Sequence, residues 1–163
     1  MSPRTGQVIR LDIPRFGALR LEHLVLDYNG TLAADGRLLP GVRTRLRRLA
    51  RSLNVHVLTA DTFGKARSQL RHLPVELVIL GAGRHDRAKL SYLRRLGAGR
   101  TVAIGNGRND RLMLRAAALS IAVVEGEGAA ASSVLAATIV TRSARDALAL
   151  LLKPRRLVAT LRA

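Results

Sequence analysis

Three short polar segments follow apolar runs, and each holds side chains that can do chemistry. The first is Leu26-Asp27-Tyr28-Asn29-Gly30-Thr31-Leu32. A carboxylate ending an apolar run, with Gly-Thr forming a tight turn behind it, can act as a nucleophile. Aspartate can accept a phosphoryl group as an acyl phosphate, which splits one difficult step into two easier ones. The same Asp27 also fits a plain turn cap at the end of a strand. The second segment is Leu58-Thr59-Ala60-Asp61. There a hydroxyl beside a helix start can hold a phosphate oxygen together with backbone amides, or simply cap the helix. The third is Ile104-Gly105-Asn106-Gly107-Arg108-Asn109-Asp110. Its glycines permit a turn, and its Asn and Asp side chains offer hard oxygen ligands suited to Mg²⁺. A Gly-Asn turn running into a capped helix fits this segment equally.

The elements that must position these residues follow from the hydrophobic period. His23 to Tyr28, Asn54 to Thr59, Pro74 to Leu80, Thr101 to Ile104, Ile121 to Val124 and Thr138 to Val140 read as strands. Helical spacing recurs over Val42 to Leu53, behind Pro40 and Gly41. Further helices are expected over Thr62 to His72, Asp86 to Leu96 and Asn109 to Ala118, and after each of the last two strands. Gln7 to Leu21 alternates around Pro14 and Gly17 and reads as an N-terminal edge β-hairpin. Strand–helix alternation predicts an α/β fold: a Rossmann-like, doubly wound, mostly parallel sheet with helices on both faces. Ligands of such sheets sit beyond the carboxyl ends of the strands. Asp27, Asp61 and Asp110, three of only 11 acids, fall at three such ends.

Composition narrows the field. At 163 residues and 48% hydrophobic content the chain suits one domain with its own core. We divide it into the hairpin at 1–21, a core at 22–152 and a basic C-terminal tail at 153–163. Cys 0 excludes a disulfide scaffold, a thiolate zinc site and a Cys nucleophile. No apolar run is long enough for a signal peptide or a membrane span, so we expect a cytoplasmic protein with no membrane partner. The net charge of +17 attracts anions. The arginines are spread along the whole chain and aromatics are few, so nucleic acid is not the expected main partner. Arg43, Arg47 and Arg51 share one helix face, either solvated or a patch for an anionic partner.

Taken together and in this order, the three segments resemble the haloacid-dehalogenase-like (HAD) superfamily of phosphohydrolases and phosphotransferases. Asp27-Tyr28-Asn29-Gly30-Thr31 is similar to its nucleophile motif. Thr59-Ala60-Asp61 and Gly105-Asn106-Gly107-Arg108-Asn109-Asp110 look like the matching segments of P-type ATPase phosphorylation domains. The resemblance extends over about Glu22 to Leu152 and is nearest to the soluble P-type ATPase-like group. It implies Mg²⁺ as cofactor, a phosphorylated substrate and an aspartyl-phosphate intermediate. Asp27 would be the nucleophile and a metal ligand, and Asn29 would give the metal its backbone carbonyl. Asn106 and Asp110 would complete the metal site. Thr59, Ala60 and Lys89 would bind the phosphoryl group, with Lys65 the alternative lysine. Gly30, Thr31, Asp61, Gly105 and Asn109 would support the loops.

Two departures bear on turnover. Asn29 stands where the superfamily commonly has an acid–base Asp, and an amide cannot exchange that proton. Asn106 stands where a metal-binding Asp is usual and brings no charge. The sequence thus supports a slow Mg²⁺-dependent phosphatase or phosphotransferase. The alternative is a binding or regulatory module of the same fold for a phosphorylated or anionic partner. Only about twenty-seven residues separate Thr31 from Thr59, so no cap domain fits there and a second copy of the chain is one source of a lid. Gly126-Glu127-Gly128-Ala129-Ala130-Ala131 only partly fits a dinucleotide fingerprint and reads as a turn. His23, His56, His72 and His85 lack metal-ligand spacing and read as structural.

Overall fold

The computed structural model describes residues 8–61 and 64–163. Gln7, the expected start of the hairpin, and Thr62, the expected start of a helix, lie outside the described residues. Six strands form one parallel sheet: β3 (His23–Asp27), β6 (Asn54–Thr59), β7 (Glu76–Ile79), β8 (Thr101–Gly105), β9 (Leu119–Val123) and β10 (Ile139–Thr141), in the order β10-β9-β8-β3-β6-β7. Strands covered on both faces read as unbroken apolar runs rather than alternating ones. Leu24, Val25 and Leu26 of β3 are all fully buried, as are Val102, Ala103 and Ile104 of β8.

Successive side chains nevertheless serve different layers. Leu24, Leu26, Val55 and Val57 join the core formed with α1 (Val42–Leu49) and α6 (Ala144–Leu152). Val25, Leu58 and Ala103 point the other way, toward α3 (His85–Leu96) and α4 (Arg111–Ala116). The remaining helices are α2 (Lys65–Leu70), α5 (Ala131–Ala136) and α7 (Pro154–Leu161). No helix among the described residues is long and apolar enough to cross a membrane.

Several expected boundaries shift. The helix expected over Val42 to Leu53 stops at Leu49, where turns through Ser52 and Leu53 lead into β6. The helix expected from Asn109 opens as a 3-10 turn over Arg108–Asp110 before α4 begins. The N-terminal hairpin is present as β1 (Ile9–Ile13) and β2 (Gly17–Leu21), but it forms a sheet of its own. β3, which follows it, has β6 and β8 on its two sides, so the hairpin has no sheet edge beside it to join. It buries Ile9, Leu11 and Ile13 instead, in the core that also takes Leu157 of α7. The basic C-terminal segment is therefore largely helical, anchored by that leucine.

From β3 the chain winds outward through β6 and β7, then returns along α3 to place β8 on the other side of β3. That reversal opens a crevice at the carboxyl ends of β3 and β8. Asp27 ends one strand and Gly105 the other. Between Thr31 and α1 lies only the small hairpin β4 (Ala33–Ala34) and β5 (Arg37–Leu38), held by the Tyr28 hydroxyl donating to Gly36 O at 2.8 Å.

Candidate active site

Lys89 organises the crevice. It sits on α3, is 2% exposed, and donates from Nζ to Asp27 Oδ1 and Asp110 Oδ1, each at 2.7 Å. A third contact runs to Asn109 Oδ1 at 3.4 Å. Two carboxylates face one ammonium, leaving one net negative charge in a buried place. Burial is the main reason Asp27 is pushed up to about 6, with the charge of Asp110 adding to it and Lys89 opposing. Burial pulls the Lys89 ammonium down, but the two carboxylates outweigh it and hold it above its ordinary range. Lys65 is the exposed lysine of α2 and, among the described residues, donates to Asp35 O at 3.3 Å.

The loops are shaped around these groups. Asp110 is fully buried, and its Oδ2 accepts the backbone N–H groups of Asn106 at 3.0 Å and Gly107 at 2.9 Å. A Cβ at Gly105 would lie 2.5 Å from Asp110 Cγ, so only glycine admits that carboxylate. The Thr31 hydroxyl lies 3.0 Å from Asp27 Oδ2 and 3.2 Å from Asn106 Oδ1, so both oxygens face one point. Asn106 is held there by its Nδ2 donating to Gly128 O at 3.1 Å. Thr59 Oγ1 accepts the N–H of Asp61 at 3.2 Å, which leaves its own proton free for another acceptor. Asp61, in the left-handed region at φ 42, caps α2 by accepting from Ala66 N at 2.7 Å and Arg67 N at 3.2 Å.

Asp27, Asn29, Thr59, Ala60, Lys89, Asn106 and Asn109 all line one cavity of about 270 Å³, with Gly107, Leu80, His85 and Glu127. Gly30, Thr31, Gly105 and Asp110 shape it from behind, and Asp61 serves the neighbouring helix. Two of the polar side chains lining it were not singled out by sequence reasoning. His85 lies four residues before Lys89 and thus on the same face of α3, a spacing that was available in the sequence. Its Nε2 donates to Gly81 O at 3.0 Å. Glu127 arrives on the Gly-Glu-Gly turn after β9. A Cβ at Gly30 would lie 2.5 Å from Glu127 Oε2 and 2.6 Å from Asn106 Nδ2, and Gly30 has φ +76. Glycine there is required by its conformation, and the tips of Glu127 and Asn106 crowd it.

The cavity suits a hard cation bound with phosphate. Among the described residues no three His, Cys, Asp or Glu side chains cluster closely enough to hold a metal on their own. Mg²⁺ does not need that, since it is commonly held by one or two carboxylates, substrate oxygens and water. Asp27, Glu127 and the Asn106 amide oxygen are of that kind. Asp110, expected as a further ligand, accepts from Lys89 and from the backbone N–H groups of Asn106 and Gly107.

No family model matches the chain. It is 49% identical over 61 residues to the uncharacterized protein MJ0073 of Methanocaldococcus jannaschii, a match covering 37% of this chain and 66% of that protein. It is 44% identical over 39 residues to the uncharacterized protein MJ0072 of the same organism, covering 24% of this chain and 89% of that one. Among solved structures it is similar to a protein provisionally assigned as a HAD family hydrolase from Streptomyces avermitilis, with TM-score 0.63, 22% identity and coverage of 87% and 84% of the two chains. It is similar to 3-deoxy-D-manno-octulosonate 8-phosphate phosphatase from Moraxella catarrhalis, solved in complex with magnesium ion, phosphate ion and KDO, with TM-score 0.69, 16% identity and coverage of 87% and 94%. A cobalt-bound octulosonate 8-phosphate phosphatase from Haemophilus influenzae gives TM-score 0.67 at 18% identity, covering 82% and 88%. The chain belongs to the sequence family of MJ0072 and carries the fold of the HAD hydrolases.

Proposed function

We propose that the protein is a Mg²⁺-dependent phosphatase or phosphotransferase that works through an aspartyl phosphate on Asp27. One observation carries this reading: the buried Lys89 bridge between Asp27 and Asp110, placed at the sheet's reversal point and open to a polar cavity. Solved structures of the same fold include phosphatases, one of them in complex with magnesium and phosphate ions.

The Asp27 carboxylate attacks the phosphorus of a phosphate ester as the bond to the leaving oxygen breaks. The bonding pair departs on that oxygen, which takes a proton from solvent. Water then attacks the acyl phosphate, releasing inorganic phosphate and restoring the carboxylate. Lys89 keeps Asp27 oriented and offsets charge on the incoming phosphoryl oxygens. Thr59 donates its free hydroxyl proton to one of those oxygens, and Ala60 borders the same space. Mg²⁺, held by Asp27, Asn106, Glu127 and the Asn29 main chain, would neutralise phosphate charge when bound. Asn29 orients water but takes no proton from it, which costs a contribution typically worth roughly 10²–10⁴-fold.

Asn29 and Asn106 also favour a second reading, in which the site binds a phosphorylated partner without appreciable turnover. Hydrolysis of p-nitrophenyl phosphate separates the two. Release of nitrophenol that needs Mg²⁺, stops with EDTA and disappears in Asp27→Asn supports the enzyme. Phosphate binding without hydrolysis supports the module.

A further inference from the structure

We propose that a second phosphate site adjoins the catalytic cavity, so that the substrate is a phosphomonoester whose leaving group carries another phosphate. The inference rests on the phosphatase reading for what happens at Asp27, but the second site has its own evidence. A pocket of about 360 Å³ is lined by Arg84, His85, Asp86, Arg108, Asn109 and Arg111. His85 and Asn109 also line the catalytic cavity, so the two spaces meet across them. Asn109 is the nearer landmark, since its Oδ1 lies 3.4 Å from Lys89 Nζ.

The charge in this pocket is uneven. Arg84 is spent locally, with Nη2 2.7 Å from Asp86 Oδ2. Arg108 and Arg111 form no ion pair with any described residue, and they lie three apart on the turn that enters α4. Two arginines lining one pocket can offer a phosphate the paired N–H donors its oxygens accept. A phosphoryl group at Asp27 and a second phosphate on Arg108 and Arg111 would flank Asn109, with the leaving group spanning it.

Two sources carry this chemistry: a small organic bisphosphate, or a nucleic-acid strand ending in a phosphate. Farther along the same two helices, Arg87, Arg94 and Arg95 line a further cavity of about 570 Å³. Only a strand would use them.

The test is calorimetric binding to the metal-free wild-type protein, so that nothing is turned over. Fructose 1,6-bisphosphate is compared with fructose 6-phosphate, and a 5′-phosphorylated oligothymidylate with thymidine 5′-monophosphate. In at least one pair the ligand with the additional phosphate is expected to bind tenfold or more tightly. Arg108→Ala and Arg111→Ala should each weaken it about tenfold to a hundredfold, while Arg47→Ala on α1 changes nothing. Arg94→Ala should weaken only the oligonucleotide. p-Nitrophenyl phosphate hydrolysis should be unchanged in Arg108→Ala and Arg111→Ala. No preference in either pair, or a preference that Arg108→Ala and Arg111→Ala leave intact, overturns the second site. Loss of hydrolysis in the wild type with the binding preference retained would overturn the phosphatase reading alone.

Discussion

At its carboxyl end β3 buries Asp27 against Lys89 and Asp110; at its amino end the same strand begins with His23, packed on His56 of β6. His23 Nδ1 lies 3.1 Å from His56 Nε2, and His56 Nδ1 lies 2.8 Å from the Tyr92 hydroxyl and 3.2 Å from Glu76 Oε2. Burial pushes both histidines down, so that end of the strand resolves its titratable groups by discharging them. The carboxyl end holds on to its charges and neutralises them incompletely. Buried charge is costly unless paired, so a cluster left with one excess negative charge suits a cation.

Removing the ammonium should break the contrast most severely. Lys89→Met leaves two carboxylates buried and facing each other, which should cost roughly 3–5 kcal/mol. Thermal melts should then drop by about 6–20 °C, with hydrolysis lost. Next in size is Asn29→Asp, which restores a group able to accept a proton and should raise turnover about tenfold. Glu127→Gln removes one charge from the side of the cavity proposed to hold the metal. The Mg²⁺ concentration giving half-maximal activity should rise about fivefold, as expected for an interaction of ~1 kcal/mol.

The smallest effect belongs to the histidine end. Because His23 and His56 titrate below 6.5 in the folded state, the unfolded chain binds protons first as pH falls. Their contribution is complete above 6.5 and is lost as pH falls from there through the lowered values. Melting temperature should show that step in the wild type, and His56→Gln should flatten it, which would separate this end from the Asp27 cluster.

Much of the candidate site was legible because the proposed phosphate chemistry needs fixed residue types at strand ends. Asp27, Thr59 and the Gly105–Asp110 loop could each be placed by the end of an apolar run, and the parallel sheet followed from the alternation. The family resemblance indicated Lys89, whereas its pairing with both Asp27 and Asp110 required the return of α3 across the sheet. Glu127 was hidden because a Gly-Glu-Gly turn carries no period, and its approach to Gly30 joins residues almost a hundred positions apart. His85 was lost among four histidines, although its spacing to Lys89 was available. The hairpin's departure from the sheet edge could not be read locally, since it depends on which strands flank β3.

Asp27 is proposed to carry the phosphoryl group during turnover. Acid quench of the protein with p-nitrophenyl phosphate and Mg²⁺, followed by peptide mass spectrometry, tests it directly. A burst of nitrophenol ahead of steady turnover is expected, with a hydroxylamine-labile phosphoryl adduct on the peptide containing Asp27 that is absent from Asp27→Asn. Hydrolysis that proceeds without any such adduct, or that persists in Asp27→Asn, would contradict it.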